Sequence, residues 1–281
     1  MPTPLAPRRR LVLSLTSFAA LSLLMACGVC LAADDEKADT RKAEASPAAA
    51  RDAKGPEQRV VLFNGKDLSG WKFRVERGSD AWKVVDDVKL DPSDPKKLVG
   101  SGVARGLGGA LLRGPIEHGS DLYTEKSFGD CELHVDFMVP RASNSGVYLM
   151  GRYEVQVLDS HGKPADRLGQ GDVGAIYSAA KPSKNASKPA GEWQTFDIVF
   201  QAPRFDADGK KTKNAKFVSV KLNGEEIQRE VEVKGPTGSQ LYNDEKPTGP
   251  ILFQGDHGIV AFRNVWIKPK QAAGTASDSE Q

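Results

Sequence analysis

The sequence predicts an all-β domain, a sandwich or barrel of antiparallel strands, and three observations carry that reading. Short segments alternate apolar and polar side chains with the period of two that a half-buried strand requires. The chain holds 28 glycines and 17 prolines, residues that favour the turns between such strands. No stretch inside the domain shows two or three turns of helical periodicity, and many strands with few helices imply a sandwich or barrel.

Arg8, Arg9 and Arg10 precede an apolar run from Leu11 to Leu31 that contains no charge. This is the layout of a signal peptide over residues 1–33, with Cys30-Leu31-Ala32-Ala33 as the cleavage site ahead of Asp34 and Asp35. Leu24-Met25-Ala26-Cys27 offers an alternative, a lipobox that would place a lipid anchor on Cys27. A third reading leaves the run uncleaved, since it is about long enough to span a bilayer. The expectation is an exported protein, periplasmic or secreted, either free or held as a lipoprotein. Residues 34–58, rich in Ala, Lys, Asp and Glu, read as a disordered linker, and residues 270–281 as a disordered tail.

Residues 59–269 carry the strand pattern. Cys131-Glu132-Leu133-His134-Val135-Asp136-Phe137 alternates strictly. Tyr153 to Asp159, Trp193 to Phe200, Phe217 to Leu222 and Val260 to Ile267 repeat the pattern with β-branched and aromatic residues, and Asn223-Gly224 supplies a tight hairpin turn. This alternation assigns Leu133, Val135, Val155, Val157, Val220 and Phe262 to the core. The segment from Asp91 to Gly109 has no such pattern. No internal repeat of fixed period is present, which argues against a propeller or solenoid.

The 39 basic and 37 acidic residues give a net charge of +2, but residues 1–33 hold three arginines and no acid, so 36 and 37 remain in the mature part, a charge of −1. A near-neutral domain lacks the concentrated basic face that nucleic acid demands. Cys27 and Cys30 fall in the leader, so Cys131 alone remains and no internal disulfide is available. Stability must come from an apolar core, which residues 59–269 are long enough to bury.

Within Asn144 to Ser160, Glu154 and Gln156 fall on one strand face and Tyr153, Val155 and Val157 on the other. Arg152 precedes this strand and Asp159 closes it. The polar face is a candidate site if it lies on a concave outer surface; otherwise it is a solvated face on which Arg152 and Glu154 pair. Similar polar and aromatic segments recur at Gly171 to Tyr177, at Gly191-Glu192-Trp193-Gln194, and at Gln254 to Gly258 leading into Phe262-Arg263-Asn264. Among the histidines, His118 and His161 read as surface residues. His134 alternates with Glu132 and Asp136 in a row that reads as paired or solvated rather than metal-binding. His257 follows Asp256 between glycines, where it either caps a turn or overhangs a site. No Gly-x-Ser-x-Gly, His-Glu-x-x-His or phosphate-loop motif occurs, and no strand carries the paired carboxylates of a retaining glucanase.

The ordered series Leu62-Phe63-Asn64-Gly65-Lys66-Asp67-Leu68-Ser69-Gly70-Trp71, NSGVYL from Asn144, YEVQVLD from Tyr153, GEWQTFDI from Gly191, the Asp256-His257-Gly258 turn and FRNVWIKP from Phe262 resembles the 3-keto-disaccharide hydrolase domain family over nearly all of residues 59–269. One departure is Gly255, which separates Gln254 from Asp256 where the usual order is Gln-Asp-His. The resemblance implies a concanavalin-like jelly-roll β-sandwich of two antiparallel sheets, in agreement with the strand pattern. It also implies a carbohydrate partner and cleavage of glycosides already oxidised to a ketone at the third carbon. The alternative is a non-catalytic carbohydrate-binding module of the cell envelope. Such cleavage needs a base, a stabiliser for an enolate oxygen and an acid for the leaving group. On this reading Glu154, His257, Asp159 and Arg152 are the catalytic candidates. Gln156, Tyr177, Trp193, Asp256, Arg263 and Asn144 are the substrate-binding ones. No cofactor is certain, although a divalent cation held by carboxylates could replace a cationic stabiliser.

Overall fold

A computed structural model describes residues 58–106, 108–114 and 118–270. The expected leader, with Cys27, most of the linker and residues 271–281 lie outside the described residues. In chain order the strands begin with β1 (Val60–Val61), β2 (Trp71–Phe73), β3 (Trp82–Val85), β4 (Asp87–Leu90), β5 (Leu98–Ser101) and β6 (Ala110–Arg113). They continue with β7 (Leu122–Phe128), β8 (Cys131–Met138), β9 (Asn144–Leu149), β10 (Tyr153–Leu158), β11 (Gln194–Gln201) and β12 (Arg204–Phe205). The last are β13 (Lys211–Lys213), β14 (Ala215–Leu222), β15 (Glu225–Val233), β16 (Gly249–Phe253) and β17 (Val260–Pro269).

These strands form a β-sandwich jelly roll. The larger sheet runs β15-β14-β11-β8-β17-β6-β3, with β1 also paired to β17, and the smaller runs β10-β9-β16-β7-β2. The layering follows from alternation: on β8, Leu133, Val135 and Phe137 are buried while Glu132, His134 and Asp136 are half-buried on the other face. The sheets meet through a run of stacked rings. Trp71 of β2 lies 5.0 Å from Phe253 of β16, Phe253 lies 4.0 Å from Phe262 of β17, and Phe262 lies 6.3 Å from Trp82 of β3. All six residues assigned to the core by alternation belong to this cluster.

The Asn223-Gly224 turn joins β14 to β15 with both residues at positive φ, 54° and 85°, as a two-residue hairpin of matching twist demands. The unpatterned segment after Asp91 contains one strand of the β4–β5 hairpin. Val88 and Leu98 of that hairpin pack with Leu112, Met138 and Ala261 in a second, smaller apolar cluster. Trp193 packs there too, one residue before β11 begins, so it precedes the strand instead of starting it. Likewise β10 stops at Leu158, one residue short of Asp159.

Two irregular segments cover the smaller sheet beside β10. Residues 171–177 run along its edge, where Gly174 N–H donates to Gln156 O at 2.8 Å and Gln156 N–H to Ala175 O at 2.9 Å. Residues 234–248, between β15 and β16, form a strap tied down by Thr237 N–H to Arg152 O and Leu241 N–H to Gly151 O, both 2.9 Å.

Candidate active site

Alternation on β10 sends Tyr153, Val155 and Val157 into the core and Glu154 and Gln156 to the outer face of the smaller sheet. On β9 the same rule sends Gly146 and Tyr148 outward, because Val147 and Leu149 face the core. The antiparallel register sets Glu154 directly opposite Tyr148 and Gln156 opposite Gly146. This outer face is covered: Glu154 is 2% exposed, Gln156 4% and Tyr148 0%. The strap accounts for part of that cover. Glu154 N–H donates to Thr237 Oγ1 at 3.0 Å, and the Tyr148 hydroxyl donates to Gly238 O at 2.9 Å. Gly146 is required by close approach, since a Cβ there would lie 2.3 Å from Glu154 Oε1 and 2.9 Å from Tyr148 Cε2. The Glu154 carboxyl therefore occupies the space a side chain on β9 would fill.

The β16–β17 turn supplies the neighbouring charge. Gly255 N–H donates to Asp121 Oδ1 at 2.9 Å, and Arg74 Nη1 donates to Asp121 Oδ2 at 3.1 Å and to Ser239 O at 3.2 Å. Arg113, buried, donates from Nε to Gly255 O and from Nη1 to Gly114 O, both at 2.8 Å. The extra glycine in Gln254-Gly255-Asp256-His257 has a physical reason, because a Cβ at Gly255 would lie 2.2 Å from Ser120 O. Burial pushes the Glu154 carboxyl up to about 8; a hydrogen bond with Tyr148 opposes this, and the charges of Asp256 and Asp121 reinforce it. Burial and then the Asp256 charge raise Asp121 as well, against the Gly255 N–H and Arg74. The Tyr148 phenol is raised by burial and by Glu154, so it keeps its proton. The result is a carboxyl raised to about 8 beside a phenol that stays protonated, which is suited to moving a proton.

The structure brings together Glu154, Gln156, Asn144, Tyr177 and Asp256. Gln156 Nε2 donates to Asn144 Oδ1 at 3.2 Å, and Tyr177 N–H donates to Glu154 O at 3.2 Å. His257 is exposed on the turn, with Nδ1 bonded to the Asp256 carboxylate next to it.

Four other candidates are placed elsewhere. The Arg152 guanidinium turns to Asp244 Oδ1 and Met150 O, each at 2.8 Å, because the turn before β10 points it at the strap, so it neither pairs with Glu154 nor stabilises charge there. Asp159 lies five residues along the chain from Glu154, roughly 16 Å at the rise of a strand. Its Oδ2 accepts the Ala142 N–H at 3.0 Å. Arg263 and Trp193 lie on the outer face of the larger sheet, across the sandwich from Glu154. Phe262 faces the core, so Arg263 faces out, 4.0 Å over the Trp193 ring and 3.6 Å from Asp136.

Tyr148, Asp121, Arg74 and Arg113 join the site without having been singled out in the sequence, and Gln254, named there as part of the turn segment, donates from Nε2 to the Tyr148 hydroxyl at 3.5 Å. Alternation in Asn144 to Leu149 contained the signal for Tyr148; Asp121 and Arg74 carried none. The Glu132-His134-Asp136 row is paired, with His134 Nδ1 2.6 Å from Asp197 Oδ1 and Glu132 bridged to Lys270 at 2.7 Å. Among the described residues no group of three or more His, Cys, Asp or Glu is arranged to hold a metal ion.

The profile of the 3-keto-alpha-glucoside-1,2-lyase-like domain family matches residues 58–268. The chain belongs to this family. Every residue of the site just described, from Arg74 to His257, falls inside the matched lyase-like domain. A Bacteroides thetaiotaomicron protein named 3-keto-disaccharide hydrolase is 25% identical over 244 residues, covering 74% of this chain and 77% of that protein. A crystal structure from Parabacteroides distasonis, provisionally named a glycosyl hydrolase, is 28% identical with a TM-score of 0.55, covering 75% of this chain and 84% of that one.

Proposed function

We propose that this lyase-like domain cleaves 3-keto-glycosides, with 3-keto-disaccharides as the substrate class, by removing the proton beside the ketone. The observation that carries the reading is the buried Glu154 carboxyl, seated over Gly146 beside the Tyr148 phenol and titrating at about 8. A ketone at the third sugar carbon acidifies the hydrogen on the second. Ionised Glu154 takes that proton, and the C–H electron pair forms a double bond to the third carbon as the ketone becomes an enolate. Re-forming the ketone moves that pair between the first and second carbons and expels the glycosidic oxygen, which takes up a proton. Adding water across the new double bond completes a hydrolysis; releasing the unsaturated sugar first makes the same site a lyase. Tyr148, which keeps its proton, is a hydroxyl beside Glu154 that meets the developing oxygen charge by turning that proton away from Gly238 O. Asp121 and Asp256 serve by holding Glu154 in its high-affinity state for a proton. The family and the name of the Bacteroides relative support the substrate class.

The test is to assay the purified domain on 3-ketotrehalose or 3-ketosucrose beside the unoxidised sugars. Only the ketones should be cut, with solvent deuterium entering the second carbon of the product. Equal cleavage of both would point to a direct hydrolase, and tight sugar binding with no turnover to a carbohydrate-binding module. We also propose that the chain is exported, on the strength of the charge-free run after Arg8 to Arg10.

A further inference from the structure

Gln156 Oε1 is, among the described residues, a buried side-chain oxygen with no hydrogen-bond partner. Its amide nitrogen is fully engaged, donating to Asn144 Oδ1 and to Gly171 O, each at 3.2 Å. Folded proteins rarely leave a buried carbonyl unpaired, because the lost hydration costs about 1–3 kcal/mol, and an exception calls for a reason. The position supplies one. Gln156 lies two residues from Glu154 on the same strand face, roughly 7 Å away. It stands opposite Gly146, the residue whose missing side chain leaves room for the Glu154 carboxyl. Asn144 is opposite Leu158, so the amide nitrogen is drawn toward the end of β10 and the carbonyl half is left on the side of Glu154.

We infer that Gln156 Oε1 accepts a hydrogen bond from a hydroxyl of the sugar ring bound beside Glu154, and so selects the substrate by that hydroxyl. An amide oxygen only accepts, so its partner must carry a proton. A sugar hydroxyl qualifies, while the ketone oxygen and a uronic carboxylate do not. The substrate therefore turns a free hydroxyl toward Gln156 and its ketone away from it. This inference rests on the proposed cleavage of 3-keto-glycosides and adds the residue that reads the sugar.

The experiment is a cycle of substrate and protein changes. A set of 3-keto-glycosides, each lacking one hydroxyl, is assayed with the wild-type chain and with Gln156→Met, which keeps the side-chain length and replaces the amide oxygen by a thioether, a weak acceptor. On the wild type, loss of one particular hydroxyl should lower kcat/KM by about tenfold to a hundredfold. In Gln156→Met the same loss should have no further effect, whereas a merely structural role for the amide would lower all rates in parallel. A wild-type series without any such position overturns the inference with no variant needed, as does an unchanged penalty in Gln156→Met. If the wild type cuts no keto-sugar, the proposed activity fails, and calorimetric binding of the same analogues decides the Gln156 contact by itself.

Discussion

Glu154 combines two features that oppose its ionisation: it is 2% exposed, and its neighbours include two acidic residues, Asp121 and Asp256. As a base it works only when ionised, so kcat/KM on the keto substrate should rise with pH through about 8, and Glu154→Gln should lower turnover by about a hundredfold to ten-thousandfold. The sign for stability is opposite. A carboxyl raised from 4.5 to about 8 binds its proton more tightly folded than unfolded, so folding stability falls as pH climbs between those values. The Glu154→Gln variant, uncharged at this position at every pH, should therefore melt higher than the parent at pH 9, and calorimetry at pH 5 and pH 9 checks it. An acidic-side activity optimum would assign Glu154 to the proton-donating step instead. At this scale the sequence was legible where one strand settled the matter: alternation alone put Glu154 and Gln156 side by side. It was silent on Arg74 and Asp121, which meet across 47 positions, and misleading on Arg152, whose partner Asp244 lies 92 positions away.

Three strands of the larger sheet, β8, β11 and β17, share a polar outer face that is organised without serving the site. His134 of β8 stacks on Trp266 of β17 at 4.8 Å, and its Nδ1 contacts Asp197 of β11 at 2.6 Å. Burial alone would lower the His134 pKa, but the bonds to Asp136 and Asp197 outweigh it and raise it to about 9. A histidine held above its ordinary 6.5 contributes stability that is complete below that value and is lost as pH rises through about 9. Asp197→Asn should therefore cost about 0.5–1 kcal/mol at pH 6, discounted for the partial exposure of Asp197, and close to nothing at pH 10. Urea melts at the two pH values measure this, and an equal loss at both would exclude the ion pair as its source. Strands such as β8 and β11 were legible because eight residues give alternation room to show. The β4–β5 hairpin was not: each strand has four residues and a single buried side chain, Val88 or Leu98. The strap over 234–248 has no periodicity to read at all, because its course is set by what it touches, Thr237 on β10 and Gly238 on Tyr148.

For the whole molecule, the leader pattern predicts that the mature chain begins after Ala33 or at a lipidated Cys27. N-terminal sequencing and mass spectrometry of exported material would decide between them, and an intact start at Met1 or Pro2 would sink both. The sheet topology bears on how such a chain reaches its folded form. The last strand, β17, sits in the middle of the larger sheet, bonded to β8 on one side and β6 on the other, and also receives β1. Its Phe262 is stacked between Phe253 of the other sheet and Trp82 of β3. Until synthesis has passed residue 269, the larger sheet has no centre and the aromatic stack between the sheets has a gap. Pairings of such long sequence separation are slow to form. The fold thus closes around its final strand, and a chain that lacks residues 260–269 has neither the centre of its larger sheet nor the ring that joins Phe253 to Trp82.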